Sequence, residues 1–364
     1  ERTEYIKGRG IISLGKKNVF NNCCIGISGS QKACTRCHVG YGYKDDSFDF
    51  TNPRNIDCLV CHENSGDYFK GSGMAGYPAP DVDLTKVAQN VGLPRRLNCG
   101  ICHFYSGGGN NVKHGDLEET LFNCERDVDV HMASNGMNME CVDCHEATNH
   151  QMKGKLYSVS SMDRNRATCE QCHTNSPHTN SIINEHTLKV SCQTCHIPTY
   201  AKVNATKLTW DWSTAGKLRN GLPYHVEDEE GNHIYLSIKG TFTWGKDLEP
   251  EYCWFNGTAN HYLFGDPVDT SKAIQINTLY GNYQDEESKI IPVKVIRSKQ
   301  IFDCNHKALV QPKLWAEKEG EGAYWLDFEW NEAAKKGMEE AGLPYSGNYC
   351  FVRTEMYWPV NHMV

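Results

Sequence analysis

The chain has 364 residues, is 23% charged and 39% hydrophobic, and carries 18 Cys and 16 His with a formal net charge of −8. That composition excludes a disordered tail and a collagen, and no apolar run approaches the roughly eighteen residues of a membrane span. The acidic balance also argues against nucleic acid as a partner.

The opening Glu1-Arg2-Thr3-Glu4 has neither the charged nor the apolar region of a leader, so residue 1 is expected to follow a cleavage site. Lys16 and Lys17 are either a small basic patch or two solvated side chains. Six C-x-x-C-H motifs then follow: Cys34/Cys37/His38, Cys58/Cys61/His62, Cys99/Cys102/His103, Cys141/Cys144/His145, Cys169/Cys172/His173 and Cys192/Cys195/His196. From the Cys and His content, chance gives only about 0.04 such matches. Zinc ribbons and redox dithiols use C-x-x-C, but neither needs a His after the second Cys in every instance. The motif is the attachment site of c-type haem: two cysteines hold the porphyrin edge while the adjacent His reaches the iron. Six covalently bound haem c groups are expected.

Such haem is attached after export, which points to a periplasmic, cell-surface or extracellular protein. Oxidising surroundings also suit the other six cysteines, Cys23, Cys24, Cys124, Cys253, Cys304 and Cys350, an even number that permits three disulfides with the pairing open. All motifs lie between Cys34 and His196, spaced irregularly by 23 to 42 residues, so only the haem-binding loop recurs and no solenoid is implied. So little chain per cofactor predicts a mostly irregular fold with short α-helices and few β-strands, in which stacked haems form the core. Short helices are expected at or after the motifs, with loops at Asn52-Pro53, Gly71-Ser72-Gly73 and Gly107-Gly108-Gly109.

Residues 1–196 read as a hexahaem cytochrome c region. Residues 197–364 read as a haem-free segment holding all eight Trp, wrapped around the haem array in the same compact unit. Strands are expected at His233–Ile238, Thr241–Trp244 and Ile290–Ile296, a turn at Glu230-Gly231-Asn232, and a helix at Glu332–Ala341 capped by Asn331. No loop shows a calcium pattern.

With His38, His62, His103, His145, His173 and His196 as proximal ligands, ten histidines remain. His114, His131, His150, His178 and His186 fall inside the haem-bearing stretch and are the distal candidates, followed by His362; His225, His233, His261 and His306 read as surface residues. Five in-region candidates for six irons leave one haem open to a different sixth ligand unless His362 fills the gap.

The strings NPRNIDCLVCH, VDLTKVAQNVG, NCGICHFYSGGG, VKHGDL, CQTCHIPTYAK, TWDWSTAGK, WFNGT and GLPYSGNY with FVRTEMYWPVNHMV resemble the octahaem tetrathionate reductase family of c-type cytochromes, from about Gly15 to the last residue. The family carries eight haems, and the first and last have no counterpart here. The resemblance implies an active site at the haem on Cys34, Cys37 and His38, with Lys113 as distal ligand and Cys24 close by, or Cys23 if the register slips by one. It also makes Cys124, Cys253, Cys304 and Cys350 look foreign to the family. Without it, Lys113 reads as an exposed loop lysine and Cys24 as a disulfide partner.

Two functions follow as expectations. One is a multihaem oxidoreductase that reduces a small anionic substrate of the tetrathionate, nitrite or hydroxylamine class, fed by quinol-linked or other cytochrome partners. The other is a non-enzymatic electron-transfer wire, a self-associating filament subunit whose haems stack between copies.

Overall fold

In a computed structural model of the chain, which describes all residues except Glu1, Lys7, Lys16, Lys17, Cys24 and 155–164, each C-x-x-C-H motif occupies a helical turn. The turns are Gln31–Cys34 running into Thr35–Cys37, Leu59–His62, Arg96–His103, Cys141–Cys144, Cys169–Gln171 and Cys192–His196. One turn is what the motif needs, because residues three apart share a helix face and both thiols then point the same way. Local polar groups set the short helices between them. Asn52 caps Pro53–Asn55 by accepting from the Arg54 N–H at 3.1 Å, and Asp83 caps Leu84–Ala88. The third and fourth motifs are tied by Arg96, which donates from its backbone N–H to Glu140 at 2.6 Å and from its guanidinium to Met139 O at 3.1 Å and Asn138 at 2.9 Å.

Loops and turns outnumber regular elements and the helices are short, as expected; the sequence did not announce how much sheet the second half contains. Nine strands form one sheet: β1 (Thr206–Asp211), β2 (His225–Glu227), β3 (His233–Leu236), β4 (Gly240–Gly245), β5 (Glu251–Phe255), β6 (Ile274–Gln275), β7 (Lys289–Asp303), β8 (Ala308–Leu309) and β9 (Tyr349–Pro359). Their order is β6-β9-β7-β1-β4-β3-β2, with β5 and β8 also paired to β7. The spine is the antiparallel β7/β9 pair, in register from Val293↔Pro359 to Asp303↔Tyr349, and β1 lies parallel to β7. The three expected strands fall on β3, β4 and β7, and Asp228 closes the expected turn by accepting from Glu230 N at 3.0 Å and Asn232 N at 2.8 Å.

The helix expected at Glu332–Ala341 spans Trp330–Glu340 and is entered from Glu329. Asn331 is inside it, its side chain accepting from the Tyr345 hydroxyl at 2.6 Å. Trp330 moves the start: it stacks on Tyr324 with ring centroids 3.6 Å apart and is buried within the helix. Cys304 and Cys350, at the ends of β7 and β9, form a disulfide, while Cys124 and Cys253 are thiols.

The largest buried cluster belongs to the second half, including Trp210, Trp212, Phe242, Ile296, Trp330, Met356 and Trp358; the first half lends it only Phe20, Cys23, Ile25 and Val112. The motif-bearing half has small clusters of its own, such as Val60, Tyr68 and Val87. The two halves are joined where the chain ends. Asp116 accepts from the backbone N–H groups of Asn361 at 2.7 Å and His362 at 3.0 Å, and Asp129 from those of Met363 at 2.8 Å and Val364 at 3.2 Å.

Candidate functional site

Four of the six motif histidines face another imidazole. The ring centroids of His62 and His150 are 6.3 Å apart, those of His173 and His131 6.1 Å, those of His145 and His362 6.2 Å, and those of His196 and His178 6.0 Å. Two imidazoles held on opposite sides of one metal at roughly 2 Å put their centroids about 6 Å apart. That spacing leaves room for one metal ion between the two rings of each pair. Their outer nitrogens are held as well. His62 Nδ1 lies 2.9 Å from Gly92 O, His145 Nδ1 2.9 Å from Lys153 O, His178 Nδ1 3.3 Å from Asn184 Oδ1, and His362 Nδ1 3.0 Å from Asp116 Oδ2. A proton held on Nδ1 leaves Nε2 as the lone-pair nitrogen, which is the arrangement a metal needs.

Several features fit a large flat apolar group at each motif. Among the described residues no three or more His, Cys, Asp or Glu gather into a cage for a bare ion; the donors stand as opposed pairs. Apolar side chains near the motifs point outward, with Leu93 82%, Met137 70% and Leu188 68% exposed, surface that a macrocycle would cover. The thiols also form a row. Cys99 reaches Cys141 and Cys169 reaches Cys192 at hydrogen-bonding range, Cys61 is an electrostatic neighbour of Cys99, and Cys144 of Cys172. Attachment edges from the second motif to the sixth are thus consecutive neighbours. The first joins through Lys70, which donates to His38 O and Gly40 O at 2.8 Å each, pairs with Asp57 at 3.3 Å, and has Cys37 and Cys102 among its electrostatic neighbours.

Cys58, Cys144, Cys172 and Cys195 are exposed thiols, while their motif partners Cys61, Cys141, Cys169 and Cys192 are half-buried.

His38 has a different surrounding. Its ring packs against Tyr43, Phe48 and Phe50, at 5.6, 5.6 and 5.8 Å between centroids. Lys113 and His114 lie against Trp358 of β9, the lysine Nζ 4.4 Å and the imidazole 4.9 Å from the indole. Burial first, and then the charge of Lys113, hold His114 well below its usual pKa and bring His103 down to about 4. The strand opposite supplies Lys294, cross-strand from Trp358 and fully buried, whose ammonium donates to Val112 O at 2.9 Å, Lys113 O at 3.1 Å and the Thr206 hydroxyl. Burial lowers its pKa to about 7. Lys294 fixes the backbone that presents Lys113 and His114.

The remaining candidates are dispersed. His186 is exposed at the end of helix Ser181–His186 and faces no other ring among the described residues. Cys24, like Lys16 and Lys17, lies outside the described residues; Cys23 is a buried thiol in the main cluster. His225 and His233 are surface residues, 3.8 Å and 3.2 Å from Glu227, and His306 is 3.1 Å from Asp303. His261 departs from the expectation of a surface residue: it is 1% exposed, because its strand Ala259–His261 pairs with Asn277–Leu279 under the sheet's cover. Asp116, Lys70 and Lys294 were not singled out from sequence. For Lys294 the signal was there, a lone charge in the apolar run Ile290–Ile296.

A solved structure, the crystal structure of octaheme cytochrome c from Shewanella oneidensis, is similar over 100% of this chain and 81% of that one, with 44% identity and a TM-score of 0.91. The family described as bacterial cytochrome c matches residues 207–364, the part without a haem motif. An uncharacterised protein of Archaeoglobus fulgidus is 28% identical over 170 residues, 41% of this chain and 56% of that protein, so the match spans little more than half the relative's length.

Proposed function

Because this chain belongs to the multihaem c-type cytochromes, electron-transfer oxidoreductases with covalently bound haem c, we propose that it is an exported hexahaem enzyme of the octahaem tetrathionate reductase type. Its reaction is reduction of a sulfur or nitrogen oxyanion at one lysine-ligated haem. The supporting observation is a ligand count. Four motif histidines face His150, His131, His362 and His178, which leaves His38 and His103. His103 has both His114 and Lys113 as electrostatic neighbours; with His114 as the ligand of the His103 haem, Lys113 is the ligand left for the haem on His38.

Bound haem supplies one-electron chemistry and an iron at which an anion binds. The chain's residues do the rest. Lys113 ligates only as a neutral amine, and as a ligand it is weaker than imidazole. Released from an iron it would hold, the Lys113 amine would take a proton and stand beside a bound anion as an ammonium. Cys24, or Cys23 in the alternative register, offers a thiol for exchange with an S–S bond. Tetrathionate then takes two electrons and gives two thiosulfates. The neighbouring thiol edges set an order of electron delivery along the motifs, from a quinol-linked or cytochrome partner.

Electron paramagnetic resonance of the oxidised protein, calibrated to total haem, tests this reading. One haem in six should differ from the rest and change when tetrathionate or nitrite is added. Lys113→Leu should abolish that change and turnover while electron transfer among the other haems persists. Six saturated signals indifferent to both anions would favour the wire reading, which the row of thiol edges and the exposed His186 and Cys195 support.

A further inference from the structure

A run of aromatic rings leads from Trp210, near the end of β1, to the surface. Trp210 and Trp212 stack with centroids 4.6 Å apart and planes 14° apart, and Trp212 meets Trp330 at 6.4 Å. Trp330 lies flat on Tyr324 at 3.6 Å; Phe351 follows 5.6 Å from Trp330, and Tyr349 stands 5.9 Å beyond it. Trp210, Trp212, Tyr324 and Trp330 are buried, whereas Tyr349 is 37% exposed. The inner end adjoins the motif-bearing half. Trp210 shares its buried cluster with Cys23, Val112 and Trp358, and Trp358 is the ring against Lys113 and His114.

Packing alone does not account for these residue types. The Nε1–H of Trp212 is buried with no acceptor among the described residues, and so is that of Trp358. A buried indole normally finds an acceptor, and phenylalanine would fill much of the same space without an orphaned donor. What indole and phenol have and phenylalanine lacks is an electron that a strong oxidant can take, and rings in contact pass the resulting hole along. Ferric haem is far too weak an oxidant to do this, so the run is idle in ordinary electron transfer. The environment points the hole outward. Lys207 Nζ lies 4.2 Å from the Trp210 ring, and an ammonium there disfavours positive charge on Trp210 relative to Trp212. Burial first pushes the Tyr324 hydroxyl pKa up, so that phenol keeps its proton, while Tyr349 stands where a proton can leave to water. The residue after Tyr349 is Cys350, tied to Cys304 in a disulfide, so no thiol stands next to it to be oxidised in its place.

We propose that Trp210, Trp212, Trp330 and Tyr349 form a protective chain that carries oxidising equivalents, left when hydrogen peroxide is reduced at a haem, out to the surface. One peroxide takes two electrons and two protons to become two waters. Reduced haems supply the electrons while they last. Once they are oxidised, Tyr349 supplies one electron inward through the rings and releases its phenolic proton to water. A soluble one-electron reductant of the ascorbate class then returns an electron, and water a proton, to the tyrosyl radical. Two such rounds complete the reduction of one peroxide. The inference goes beyond the reduction proposed above: it needs one iron that peroxide can reach, whichever motif bears it, and does not depend on Lys113.

The test mixes the oxidised, haem-loaded protein with hydrogen peroxide. Freeze-quench electron paramagnetic resonance reads protein radicals, absorbance follows haem bleaching, and peptide mass spectrometry locates oxidised residues. Wild type should show a tyrosyl signal, oxidation at Tyr349 and Trp330, and bleaching that ascorbate slows. Tyr349→Phe, a change at the surface, should lose the signal, bleach faster and lose the protection by ascorbate. Trp212→Phe breaks the run near its inner end, so it should also lose the signal at Tyr349 and shift oxidation into the motif-bearing half. Trp330→Phe replaces it if that variant loads haem poorly. A tyrosyl signal and bleaching rate that are the same in wild type and Tyr349→Phe overturn the proposal, as does wild-type oxidation confined to the motif-bearing half. Haems that peroxide neither bleaches nor oxidises overturn it as well. None of these results bears on Lys113, which its own variant tests.

Discussion

Asp116 shows how much one carboxylate can organise. It is 1% exposed, and its Oδ2 takes the N–H groups of Asn361 and His362 and faces His362 Nδ1 at 3.0 Å. A carboxylate behind a ligating imidazole raises its basicity and favours the more oxidised iron. Asp116→Asn keeps the shape and removes the charge, so redox titration should find one haem midpoint displaced upward and the others in place. Lys207 yields a prediction from its own chemistry. Burial first, then Lys239, brings its pKa down to about 7. The unfolded chain therefore binds this proton between about pH 7 and 10 while the folded chain does not, and stability rises with pH there, by at most about 1.4 kcal/mol per pH unit for one proton. Chemical denaturation should show that rise, and the wild-type minus Lys207→Met difference should isolate it. The buried triad of Asp57, Tyr68 and Lys70 works similarly, joining the backbone of the first motif to the entry of the second.

At the scale of elements, β7 and β9 decide what the second half can present. Of the fifteen residues in β7 eleven are buried and only one is exposed, so it does not alternate apolar and polar, and only the stretch Ile290–Ile296 reads as a strand from sequence. β2 and β6, three and two residues long, are too short to carry a period at all. The motif turns, by contrast, were legible because their spacing is fixed by chemistry, and the start of helix Trp330–Glu340 was missed because a tertiary stack on Tyr324 sets it. Of the candidate site, the motif cysteines and the four imidazoles that face motif histidines could be named in advance from residue type. Which ring faces which could not, since His131 precedes its partner His173 while His150 follows His62 by most of a hundred residues. The Cys304–Cys350 disulfide closes a loop of 46 residues across the ends of the two long strands. Cys304→Ser should lower unfolding free energy by about 2–4 kcal/mol, and thermal melts under oxidising and reducing conditions should converge for that variant while differing for wild type.

The last residues add a tie between the two halves to the one that Lys294 makes with Val112 and Lys113. The sheet sends β9 past Trp358, the ring that Lys113 and His114 lie against, and on to Asp116 and Asp129 in the motif-bearing half. His362 is thereby set opposite His145, a motif histidine far behind it in sequence. This end ties the sheet to the motif-bearing half: it sets His362 opposite a motif histidine and gives two buried carboxylates their backbone donors. Removing the segment after Pro359 tests that view directly. The variant loses His362 and leaves Asp116 and Asp129 without the four backbone donors they accept. Haem attachment depends only on the motif cysteines, so all six motifs should still carry haem, read as pyridine haemochrome per chain. Electron paramagnetic resonance should show one haem converted to a high-spin signal, restored by added imidazole, and the thermal midpoint should fall. Six unchanged low-spin signals in the truncated protein would mean that His145 draws its partner from elsewhere, and that the carboxyl-terminal hook fastens the two halves without completing a haem site.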